Sequence, residues 1–144
     1  DKVLFPHSGT FSANPVTMVA GLTAMSLFDQ DALTRLNALN DQVRNQISEA
    51  IRIAQVPACV TGGGSMFRVH MKPEPPKNYR GAYADVAEVK VRTAILDHVF
   101  DNGIMMINTC SGTLSTAMTN KEIDILTEVL LEGFRKFKPL FADL

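Results

Sequence analysis

Apolar side chains recur at helical spacing in four stretches of this chain and at every second position in a fifth. The first helical stretch is Val16, Val19, Ala20, Thr23, Ala24 and Leu27, and it predicts a helix over 15–28. Asn14 is placed to cap it. Pro15 takes the first helical position, where an N–H would be unpaired anyway. Phe28-Asp-Gln-Asp31 breaks the pattern and supplies the next cap, Asp29 or Asp31. A longer helix over 32–55 carries Leu36, Leu39, Val43, Ile47, Ala50, Ile51 and Ala54 on one stripe, and Pro57 stops it. Only about three heptads are available, so the stripe reads as a helix packed on its own domain, not a coiled-coil seam.

Residues 59–71 switch to period two. Phe67, Val69 and Met71 point one way, and Met66, Arg68 and His70 the other. Met66 is assigned to the core. Gly62-Gly63-Gly64 lacks the Gly-x-x-x-x-Gly-Lys-Ser/Thr pattern and no helix follows it, so it is read as a close backbone approach rather than a phosphate loop. The stretch 72–84 holds three prolines and reads as a surface connection, with a covering loop as the other option. Helix resumes over 85–101 with Val86, Val89, Ala94, Ile95, Val99 and Phe100, and Gly103 closes it. Ile104–Ile107 reads as a short buried strand, Cys110-Ser-Gly as a turn, and Leu114–Ala117 as another strand. Thr119-Asn-Lys-Glu122 is a capping box for a last helix over 120–138, with Ile123, Leu126, Leu130, Phe134 and Phe137 inward and Pro139 as its stop. The order predicts an α+β domain: three or four short, mostly antiparallel strands with helices packed on one face. The other sheet face, or the first helix, is left needing cover.

Composition narrows the function. The 144 residues suffice for one domain. Lys and Arg number 14 against 15 Asp and Glu, with no basic stripe, which argues against nucleic acid as a partner. No apolar run reaches the ~18 residues of a membrane span, and no leader pattern opens the chain. Cys59 and Cys110 read as buried thiols in a reducing compartment, and the expected location is the cytoplasm. The three histidines are scattered, so no metal site is expected.

The candidate chemistry lies in His7-Ser-Gly-Thr-Phe-Ser-Ala-Asn-Pro15. Gly9 allows close backbone approach. Thr10 offers a hydroxyl and an N–H side by side, and the helix that starts at Pro15 brings a positive dipole end near. On spacing alone the stretch reads either as a phosphate contact or as a plain turn before a helix.

The same segment, HSGTFSANPVTMVAGL, resembles the one that follows the catalytic lysine in class III, fold-type I pyridoxal-phosphate aminotransferases, above all the glutamate-1-semialdehyde aminomutase branch. GGGSMF (62–67), DNGIMMIN (101–108) and LSTAMTNKEID (114–124) are similar to later elements of that family, in the same order. The resemblance implies a C-terminal small domain, with residues 1–14 as the tail of the large cofactor domain, 15–30 as a connecting helix and 31–144 as the small domain. It implies pyridoxal 5'-phosphate as cofactor, a homodimer, and amino acids or amino-aldehydes as substrates. The phosphate-binding role falls on Thr10, acting in the neighbouring subunit, with Gly9 and Ser8 beside it. The implied reaction is amino-group transfer by ping-pong half-reactions. The family's Schiff-base lysine lies upstream of this segment, so no catalytic residue is assigned here and the 144 residues alone are expected to be inactive. Departures are Ser8 for a common Gly and Met118 for the usual His before Thr119. Between Ile107 and Thr119 there is no arginine to clamp a carboxylate, as many ordinary transaminases have, which leans toward the aminomutase branch. Arg68 either faces a ligand or is a solvent-facing or salt-bridged side chain. The competing reading is a stand-alone small domain that acts as a non-catalytic interaction module.

Overall fold

The structure is a computed structural model that describes residues 9–144. It comprises two compact units that divide after Thr34. In the first, a turn over residues 9–13 leads into helix α1, Pro15–Leu27. Asn14 is the cap: its backbone is extended and its Oδ1 accepts from the amides of Val16 (2.9 Å) and Thr17 (3.5 Å). None of the helix's residues is buried, and its sequence contains no charge. Helix α2, Gln30–Ala54, starts two residues earlier than its periodicity indicated, because Asp29 supplies the cap: its Oδ1 accepts from Ala32 N at 2.7 Å.

The second unit holds the core. Val43, Ile47, Ala50, Ile51 and Ala54 of α2 are buried, as the stripe predicted. Gln55, with φ 55°, ends the helix by turning left-handed, and Val56 N reaches back to Ile51 O at 3.4 Å. Strands β1, Cys59–Gly63, and β2, Met66–His70, form a hairpin closed by Gly64 at φ 59° and Ser65. The sheet order is β1-β2-β3, antiparallel throughout. Gly62 is needed for close approach: a Cβ there would run into the backbone carbonyl of Met66. Arg44 of α2 donates to Gly62 O at 2.9 Å, so α2 lies against the face of the sheet that Gly62 shares with Phe67. Phe67 and Val69 are buried on that face, while Met66 on the other is 61% exposed, so its assignment to the core is corrected.

A short helix α3, Tyr79–Ala82, interrupts the proline-rich connection. Helix α4, Val86–Asp101, opens on a capping box formed by Asp85 and Glu88. Its apolar face is rotated from the one expected. Val86 and Phe100 are exposed, whereas Glu88 is buried beside Val91, Ile95 and Val99. The box explains this, because Glu88 turns inward to accept from Asp85 N and pairs with Lys72.

The strands after α4 also depart from expectation. Ile104–Ile107 is irregular and makes only an isolated bridge to Ser111. The third strand is β3, Ser111–Thr113, where a turn was expected, and Leu114–Ala117 lies beyond it. Gly112 decides the pairing. It stands opposite Phe67, and a Cβ on it would come within 2.5 Å of the ring, so only glycine lets β3 close on β2 there. Helix α5, Asn120–Lys136, has the predicted capping box and buries Ile123, Leu126, Leu130 and Phe134. The helix ends at Lys136, ahead of the expected stop at Pro139, which lies inside the next element. A 3-10 turn, Lys138–Asp143, brings Phe141 edge-on to Phe134, with ring centroids 6.4 Å apart.

Candidate functional site

The predicted phosphate contact falls in the first unit. Ser8 lies outside the described residues. Gly9 has φ 153°, which a side chain rarely adopts, and a Cβ on it would press on Ser12 Oγ at 3.1 Å. The turn is held by Ser12 N donating to Gly9 O (3.0 Å) and Asn14 N donating to Phe11 O (3.3 Å). Thr10 is exposed at its crest, and among the described residues its hydroxyl has no partner. The structure refines one part of the expectation. The α1 amides at Val16 and Thr17 are taken by Asn14 Oδ1, and Met18 N bonds Asn14 O at 3.0 Å. The helix start therefore has its dipole, but not these amides, free toward the turn. The Thr10 hydroxyl and the side-chain-free backbone at Gly9 suit a phosphate oxygen.

The second unit presents another surface. An open groove of about 470 Å³ runs over the sheet face away from α2, lined by Gly63, Met66, Arg68, Met105, Ile107 and Ser111. Met66, Met105 and Ile107 are exposed there. At the inner end of β2, His70 is buried and its Nε2 lies 2.9 Å from Thr61 Oγ1. Burial lowers its pKa, and the nearby Arg68 and Lys72 lower it further against the pull of Glu88. Arg68 takes part in no ion pair among the described residues. Arg92, one helical turn past Glu88, joins Arg68 along the same cleft and was not singled out in the sequence. Helical spacing could have placed it beside Glu88, but nothing in the sequence brings α4 to β2.

The two thiols form no disulfide. Both are free, and burial pushes Cys59 up and Cys110 up to about 12. Among the described residues no three His, Cys, Asp or Glu side chains gather as metal ligands, and no helix is long and apolar enough to cross a membrane.

Comparison with known proteins decides the family. Glutamate-1-semialdehyde 2,1-aminomutase of Opitutus terrae is 32% identical over 133 residues, which are 90% of this chain and 31% of that protein. The enzyme of the same name from Cutibacterium acnes is 30% identical over 127 residues, 86% of this chain and 29% of that one. An omega-transaminase from Sphaerobacter thermophilus superposes with a TM-score of 0.87 at 35% identity, covering 93% of this chain and 31% of its own. The chain belongs to the family of these aminomutases and transaminases. It matches their C-terminal part and spans about a third of the length of the curated relatives. A glutamate-1-semialdehyde aminomutase from Pseudomonas aeruginosa, solved with PMP, shares the fold with a TM-score of 0.76 at 14% identity. The α+β architecture is thus that of the aminotransferase C-terminal domain. No protein-family profile matches the chain.

Proposed function

We propose that this chain is the C-terminal small domain of a pyridoxal-phosphate-dependent aminotransferase or aminomutase of the glutamate-1-semialdehyde type, acting as a homodimer on an amino acid or amino-aldehyde. The homology over 90% of the chain carries the reading. In it, residues 1–14 end the cofactor domain, 15–30 connect, and 31–144 form the small domain. Thr10 Oγ donates to a phosphate oxygen of the cofactor held by the neighbouring subunit. Gly9 keeps the turn free of a side chain so that the oxygen can approach, and Ser8 adds its backbone. The α1 dipole favours the negative charge. Pyridoxal phosphate supplies the electron sink for chemistry at the amino-bearing carbon. The residues of this chain position it; the lysine that joins it belongs upstream in the family, so the 144 residues alone transfer no amino group.

The test is the purified gene product that contains this segment. It should bind pyridoxal phosphate and move an amino group between glutamate-1-semialdehyde, or another amino compound, and the cofactor. Thr10→Ala should weaken cofactor binding by about 1.5–3 kcal/mol, the range for a hydrogen bond to a charged group, measured by cofactor titration. A gene product that neither binds the cofactor nor exchanges amino groups would leave the interaction-module reading in its place.

A further inference from the structure

In the second unit, three basic side chains have carboxylate partners: Arg44 with Asp41, Arg52 with Glu49 and Lys72 with Glu88. Arg68 and Arg92 have none among the described residues. Both are partly buried, and the Nε of each is fully enclosed without an acceptor. From β2 and α4 they line one cleft, together with His70, Lys72, Glu88 and Thr109. Both guanidiniums are also near enough to act on the Cys110 thiol, each favouring its charged form against burial.

The charges in this cleft do not balance. Glu88 is committed to Lys72 and to the α4 capping box, and His70 is held toward its neutral form by burial. Two positive charges are left, each with a desolvated donor. Leaving such a donor unmet is costly, and a pair of like charges without a counterion more so. The missing group is negative and has acceptor oxygens, because a guanidinium presents a planar fork that matches a carboxylate or phosphate. Thr109, whose Oγ1 lies 2.9 Å from Ser111 Oγ, adds a hydroxyl at the same place. The cleft is narrow, about 10 Å³, so an oxyanion would meet the two guanidiniums at its open side.

We propose that Arg68 and Arg92 together bind one oxyanion, a carboxylate or phosphate group, at the junction of β2, α4 and the 109–111 turn. The oxyanion is either a free small molecule or a carboxylate from elsewhere in the whole protein.

Thermal unfolding of the full gene product, with inorganic phosphate or succinate against chloride at equal ionic strength, tests this and separates the two sources. If the anion is free, phosphate or succinate raises the midpoint above chloride, by an amount equivalent to about 100-fold in the folding equilibrium at 100 Kd. Arg68→Gln and Arg92→Gln then each abolish that rise. If a carboxylate of the protein already fills the site, added anions change nothing. Each substitution then lowers the midpoint, and the double variant loses less than the sum of the two. The proposal is overturned if the wild-type protein ignores the anions while either substitution leaves the midpoint unchanged or raises it. It is also overturned if anion stabilisation survives in both variants. Arg68→Lys keeps the charge but loses the fork, and it should recover only part of the effect, which a purely packing role would not show.

Discussion

Helices α1 and α5 are of similar length and are both well capped, yet they solve opposite problems. α5 divides its surface: Ile123, Leu126, Leu130 and Phe134 are buried, and Lys121, Asp124, Glu128 and Arg135 are exposed. It is finished within its own unit. α1 does not divide its surface. Val16, Val19, Leu22, Met25 and Leu27 surround it, Leu22 is 69% exposed, and no residue of the helix carries charge. A helix that is apolar on every side is a sequence written for enclosure. The cap motif fixes where each helix begins, and the distribution of charge tells what each expects to meet.

The largest effect that would sharpen this contrast is at Phe134. Phe134→Ala should destabilise the protein by about 3–5 kcal/mol in urea unfolding, because the ring is fully buried against Phe141. Leu22→Lys at an exposed position should stay within about 0.5 kcal/mol in the segment by itself. A loss comparable to that of Phe134→Ala in the full gene product would show that α1 is enclosed there. Glycine gives the next contrast. Gly112→Ala forces a methyl against the Phe67 ring and should cost about 1–3 kcal/mol. Gly21→Ala in α1 meets nothing within 4 Å and should stabilise by about 0.5–1 kcal/mol. The caps should erase the difference: Asn14→Ala and Thr119→Ala each cost about 1 kcal/mol, since each removes a side-chain acceptor from helix amides.

The smallest effect is a pH dependence. His70 has a folded pKa below its ordinary 6.5, first through burial and then through Arg68 and Lys72. The unfolded chain therefore takes up a proton before the folded one does. Stability should be flat above about pH 6.5 and fall as the pH drops below it, and His70→Gln should flatten that slope. Equal slopes in both proteins would remove His70 as the cause.

What the sequence disclosed followed from local rules. α2 and α5 were legible because their stripes are long and their ends carry Asp29, Pro57 and the Thr119–Glu122 box. The turn before α1 was legible from Asn14-Pro15 and Gly9. β3 was not, since Ser-Gly-Thr has no strand pattern and its place depends on a ring 45 residues away, from Phe67 to Gly112. The apolar run Ile104–Ile107 imitated a strand but lies irregular instead. The rotation of α4 was hidden because Glu88 serves the cap and the core together. The Arg68–Arg92 cleft was invisible for the same reason: it is made only when α4 meets β2.

Cys110 carries one more consequence. Its thiol is fully enclosed, its backbone is left-handed at φ 58°, and burial pushes its pKa up to about 12. An alkylating reagent attacks the thiolate, so in the native fold this sulfur is silent. Each labelling event at Cys110 must then record a moment when the junction of β2, β3 and α4 has come apart. Half-buried Cys59, on the outer strand, marks time as the reference. The chain thus holds a stopwatch for the opening of its own core, readable by mass as the second added group, after that of Cys59.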